Sequence, residues 1–110
     1  MYPNLINDFG GMLENIVYTH LKIADHEIKI GSGNNNEIDF ITSVENKKQY
    51  IQVSYILMNE QTINREFGTL ENIKDNLPKY VVSMDDLLIN NDKGIQHKQV
   101  WDFVYDLSKF

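Results

Sequence analysis

Apolar residues recur at helical spacing near the start of the chain. Leu5, Phe9, Met12, Leu13, Ile16, Val17, His20 and Leu21 form one stripe and predict a helix over residues 5–23. Gly10-Gly11 inside that stripe is costly in a helix interior. Either the helix proper starts near Gly11 after a short turn, or another element packs close to that backbone. The period then shortens from 3.6 to 2. His26–Ile30 alternates as a strand, with Ile28 and Ile30 on one side, and GSGNNN follows with turn chemistry at nearly every position. Glu37–Val44 and Gln49–Tyr55 are two further β-type runs around the polar Glu45-Asn46-Lys47-Lys48, a hairpin with a longer loop. Alternation puts Glu37, Asp39 and Ile41 on one face of the first run and Ile38, Phe40 and Thr42 on the other. In the second run Tyr50, Gln52 and Ser54 share a face, and Ile51, Val53 and Tyr55 share the opposite one. Asp39 and Gln52 thus interrupt strands where a simple core would carry Val or Ile.

The second half repeats the helix-then-strand pattern. Asn59 or Thr62 is positioned to cap a second helix carrying Ile63, Phe67, Leu70, Ile73 and Lys74 at helical spacing, ended by Pro78 after Leu77. Lys79–Met84 is a nearly continuous apolar run, consistent with a buried strand. A loop from Asp85-Asp86 through Gly94 leads to a short strand, Ile95–Lys98, and a closing helix, Val100–Leu107, with Val100, Phe103, Val104 and Leu107 inward. Trp101 and Tyr105 lie one turn apart on a face these do not claim. A helix between the third and fourth strands implies a crossover, so the sheet is expected to be mixed, with helices on its faces.

Composition narrows the field. A chain of 110 residues is one domain with one packed core. It has no apolar run of membrane-spanning length, and MYPNLINDFGG lacks the basic start and apolar core of a secretory signal. The absence of cysteine excludes disulfides and thiolate metal sites and fits a reducing compartment, with the cytoplasm as the default expectation. Ten basic against sixteen acidic residues, a net charge of −6, argues against strong autonomous DNA binding, which draws on phosphate neutralisation. His20, His26 and His97 are too scattered for a metal set, no Ser-His-Asp order carries a nucleophile-elbow motif, and Asp85-Asp86 reads as a solvated turn or cap. No GxxxxGK[ST] phosphate loop occurs.

The order of elements, with Glu14 in the first helix, Asp39 in the second strand and a polar-x-polar pair in the third, resembles the PD-(D/E)XK nuclease fold of restriction endonucleases and Holliday-junction resolvases. LENIVYTHLK, EIDFITSV, YIQVSY and REFGTLENIKDNLPKYVVSMDD resemble more closely the carboxy-terminal domain of unknown function attached to a family of bacterial and archaeal AAA+ ATPases, from about Gly10 to Leu107. The resemblance implies a restriction endonuclease-like α/β domain, a mixed four-stranded sheet in the order α-β-β-β-α-β followed by a small terminal strand and helix. It also implies an ATP-binding module upstream as partner.

In that family Glu14 and Asp39 match acidic positions, Gln52 stands where the second strand acid belongs, and Ser54 stands where the lysine belongs. Mg²⁺ or Mn²⁺ would need the hard oxygens of Glu14 and Asp39, with Gln52 offering a neutral carbonyl. Ser54 offers no positive charge, and loss of one charge-stabilising group typically costs about a hundredfold to a thousandfold in rate. Lys22 and Arg65 are the candidates for a migrated cation, although Arg65-Glu66 reads more simply as a solvated pair. The leading expectation is a degenerate nuclease module that docks DNA or a protein partner for an AAA+ ATPase. The alternatives are an active Mg²⁺- or Mn²⁺-dependent DNA nuclease or Holliday-junction-resolvase-like enzyme, working as a homodimer, and a pure protein interaction or regulatory domain.

Overall fold

The computed structural model describes residues 9–31, 38–57, 59–89, 91 and 93–109. The predicted residues Leu5 and Glu37, most of GSGNNN, and Phe110 lie outside them. In chain order the elements are α1 (Phe9–Ile23), β1 (Glu27–Lys29), β2 (Phe40–Val44), β3 (Lys47–Val53), α2 (Glu60–Glu71), β4 (Lys79–Ser83), β5 (Gln96–Gln99) and α3 (Val100–Leu107). The strands form one mixed sheet in the order β1-β2-β3-β4-β5. β1, β2 and β3 pair antiparallel, whereas β3–β4 and β4–β5 are parallel. The sheet therefore has five strands and not four. The terminal strand joins it in register with β4, Tyr80 opposite Gln96 and Ser83 opposite Gln99, instead of standing apart. No helix among the described residues is long and apolar enough to cross a membrane.

Each face of the sheet has its own apolar cluster. Leu13, Val17 and Leu21 of α1 pack with Phe40, Ile51, Val53, Val82, Val100 and Phe103. On the other face Phe67 and Leu70 of α2 pack with Ile38, Tyr50, Leu57, Val81 and Ile95. The strict alternation read along 37–44 fails at one residue. β2 begins only at Phe40, the chain bends at Asp39, and Ile38 turns to the α2 side while Phe40 stays on the α1 side.

Local chemistry sets the ends of the elements. α1 ends at Ile23, and Asp25 just beyond it takes the left-handed conformation (φ 64°), with Asp25 N–H donating to Lys22 O and His26 N–H to Leu21 O. These two bonds close the helix as a Schellman motif. A Cβ on Gly10 would meet nothing within 4 Å, so no close approach accounts for that glycine. α2 is capped by Asn59, whose side chain accepts from Thr62 N–H. It ends at Glu71, well before Pro78, because residues 73–78 are held instead by Asp75, which accepts from Tyr50 Oη at 2.7 Å and Leu77 N–H at 3.0 Å.

The hairpin turn is shorter than expected. Val44 pairs directly with Lys47, leaving Glu45 and Asn46 at φ 52° and 66°, the type I′ geometry whose twist matches the strands. Asparagine tolerates this region and glutamate does not. The double change Glu45→Asn with Asn46→Gly installs the preferred pair and is expected to raise stability by about 1 kcal/mol, read as a higher urea midpoint.

Candidate functional site

Three elements meet at the carboxyl end of β3. Glu14 of α1, Asp39 at the bend before β2, Gln52 and Val53 of β3, and Arg65, Glu66 and Thr69 of α2 line a cleft of about 320 Å³. The structure thus brings Glu14, Asp39 and Gln52 together and leaves Ser54 out. β3 ends at Val53, and the Ser54 hydroxyl lies 3.4 Å from Ile56 O. Lys22 lies two turns from Glu14, about 12 Å along the helix, and does not reach the cleft. Arg65 does line it.

Glu66 is the site residue that sequence reading assigned to solvent. It carries only 13% side-chain exposure, whereas its neighbour Arg65, 3.3 Å away, keeps 68%. A signal was available. Glu66 falls three residues after Ile63 and four before Leu70, which places it on the inward stripe of α2.

These side chains are tied to one another by hydrogen bonds. Gln52 is buried and engaged at both ends of its amide. Its Oε1 accepts from Asp39 N–H at 2.6 Å, and its Nε2 donates to Glu66 Oε1 at 3.0 Å. Asp39 returns the contact to β3, its Oδ2 accepting from Val53 N–H at 2.8 Å. The bend at Asp39 is therefore clamped to the end of β3 by two reciprocal bonds, one from each side chain to the other strand's backbone.

Burial, followed by the charges of Glu14 and Glu66, pushes the Asp39 carboxyl up to about 6, against the pull of the Val53 N–H. Among the described residues no three His, Asp or Glu side chains converge closely enough to hold a metal ion. The acids supply hard oxygens of the type Mg²⁺ favours, set around the cleft without converging on one point. The Gln52 carbonyl assigned as a neutral ligand is already engaged by the Asp39 amide.

Next to the cleft, Ser83, Asp85 and His97 form a second constellation, although sequence reading left Asp85 in a solvated turn and His97 isolated. Ser83 Oγ lies 2.8 Å from His97 Nε2 and 2.8 Å from Asp85 Oδ2. The protons run the wrong way for a nucleophilic serine. Ile89 N–H donates to His97 Nδ1 at 2.9 Å, so the proton of the neutral ring sits on Nε2 and is given to Ser83 Oγ. Ser83 in turn donates to Asp85, which also accepts from Leu57 N–H at 2.8 Å. With its oxygen accepting a proton and its own proton directed at a carboxylate, Ser83 has no base to activate it. Through the Leu57 N–H the network ties the end of β4 to the chain that follows β3.

Burial lowers the His97 pKa, partly offset by Asp85. Its neutral form therefore contributes stability above the ordinary value of 6.5, and that contribution is lost as pH falls below it. His97 is expected to titrate on the acid side of 6.5 by NMR, with hydrogen exchange at the Ile89 amide accelerating as it does. Ser83→Ala is expected to cost about 1–3 kcal/mol by orphaning the buried Nε2–H, measured by denaturant unfolding.

The chain matches no family model, no curated protein and no solved structure.

Proposed function

We propose that this domain is a nuclease-type fold whose site has lost its catalytic charge and serves as a docking module, with an AAA+ ATPase module as the expected partner. The observation that carries this reading is the state of Gln52. At the position of the strand acid, its amide is consumed at both ends by Asp39 and Glu66 and joins the elements together. The order α1-β1-β2-β3-α2-β4, the crossover through α2 and the cleft at the carboxyl end of β3 support a restriction endonuclease-like relationship. A cleft lined by three carboxylates and one guanidinium repels phosphate more than it attracts it. A protein partner presenting a lysine or arginine suits it better than DNA.

A second reading, a metal-dependent nuclease, has one observation in its favour. Glu14, Asp39 and Glu66 line one cleft with Arg65 at its rim, so a modest movement of side chains would offer hard oxygens and a cation together. One experiment separates the two. Mn²⁺ titration by calorimetry, run on wild type, Asp39→Ala and Glu66→Ala alongside cleavage assays on branched DNA, is expected to give no saturable binding at millimolar metal and no cleavage. Saturable binding that both substitutions remove, together with cleavage, would establish the nuclease instead.

A further inference from the structure

The opposite end of β3 holds a cavity of different character. At about 540 Å³ it is within the range of small-ligand pockets, and Val44, Pro78, Tyr80, Phe103 and Leu107 make it predominantly apolar. Three lysines, Lys47, Lys48 and Lys98, line it against a single acid, Asp106. Lys98 is balanced, its Nζ 2.5 Å from Asp106 Oδ2 and 5.6 Å above the Tyr80 ring. No acid among the lining residues balances Lys47, which starts β3 on the face of Tyr80 and Phe103, whereas Lys48 follows it on the opposite face with its Nζ 5.9 Å from the centre of the Tyr50 ring. On a chain of net charge −6 this is a local reversal of sign. His26, fixed at the wall by the bonds that close α1, is 8% exposed, and its Nδ1 is buried with no hydrogen-bond partner within the protein.

We propose that this cavity binds a small amphipathic carboxylate, its aromatic or branched body against Tyr80 and Phe103 and its acid group toward Lys47. The apolar lining supplies affinity and the unbalanced Lys47 fixes orientation, the division of labour usual in such pockets. The site is independent of the acidic cleft, which lies at the other end of the same strand.

The test uses 4-phenylbutyrate and its neutral amide as probes, followed by NMR on the whole chain. Saturable shifts of the His26 and Phe103 ring signals are expected with the acid below about 10 mM. The amide, and the acid on the surface variant Lys47→Gln, are each expected to bind about three- to tenfold more weakly, whereas Lys48→Gln is expected to leave binding unchanged. Asp39→Asn is expected to leave binding unchanged, which keeps this outcome separate from the fate of the cleft. Absence of saturation, equal affinity for acid and amide, or full affinity in Lys47→Gln would each overturn the proposal.

Discussion

Asp39→Asn is expected to make the domain more stable at pH 7. The folded-state pKa of Asp39 is raised from 3.8 to about 6, so the proton binds more tightly to the folded chain than to the unfolded one. For a raised carboxyl the linked stability is fully present below 3.8 and is lost as pH rises through about 6. At pH 7 the ionised side chain, held by burial among Glu14 and Glu66, costs up to about 3 kcal/mol at 1.36 kcal/mol per pKa unit, and less once its partial exposure is allowed for. Asparagine keeps an oxygen for the Val53 N–H and removes the charge. A gain of about 1–3 kcal/mol at neutral pH is expected, equivalent to several degrees in Tm, shrinking toward zero near pH 4. Thermal unfolding of both proteins across that pH range measures it. A loss of stability at pH 7 would mean that the charged bond to Val53 outweighs the repulsion.

Lys79→Met is expected to have the largest destabilising effect among the polar positions. Lys79 is 8% exposed, and its Nζ donates to Asp75 Oδ1 at 2.8 Å, Asp75 O at 2.9 Å and Leu77 O at 3.0 Å while lying 5.5 Å from the centre of the Tyr50 ring. All three of its protons are used, and two of the acceptors are backbone carbonyls of the segment that replaces the end of the expected helix. Methionine fills the stem but leaves those acceptors and Asp75 without their donor. Breaking a buried, hydrogen-bonded pair typically costs about 3–5 kcal/mol, and a loss at the lower end is expected because the Asp75 side chain is 36% exposed. Asp75 supplies an independent reading. The hydrogen bond from Lys79 holds its carboxyl at about 2, aided by bonds from Tyr50 and Leu77 and opposed by burial, and Tyr50 is pushed up to about 12 by burial and by Asp75. In the variant the Asp75 pKa should move back toward 3.8 by NMR. The part of acid resistance that wild type loses only as pH falls from 3.8 through about 2 should then be absent.

The candidate site was half legible before folding. Asp39 and Gln52 stood out because each broke an apolar alternation, and both proved to be placed by the ends of their strands. Glu14 was found through resemblance and lies in the same cleft. Ser54, set at the lysine position by resemblance, follows the end of β3 and is not among the residues that line the cleft. Glu66 was overlooked because a charged residue beside an arginine on a helix is ordinarily solvated. Its position relative to Ile63 and Leu70 held the contrary signal. Ser83, Asp85 and His97 were beyond reach of any local pattern, since they meet only through the parallel pairing of β4 with β5.

By itself the sequence determined the elements and their order: an apolar stripe for α1, alternation for the hairpin, a capping asparagine for α2, an apolar run for β4 and a short amphipathic α3. These depend on periodicity and backbone preference, which act over a few residues and can be read in one dimension. It also fixed the acidic balance and the lack of cysteine. Tertiary structure alone decided that the last strand completes a five-stranded sheet, that α2 stops at Glu71, that Ile38 crosses to the other face, and that Gln52 is bound at both ends. Each of those outcomes was set by partners distant in the chain. A polar group shut away from water takes whichever partner the packing brings within hydrogen-bond distance, and a local pattern does not specify which one that is.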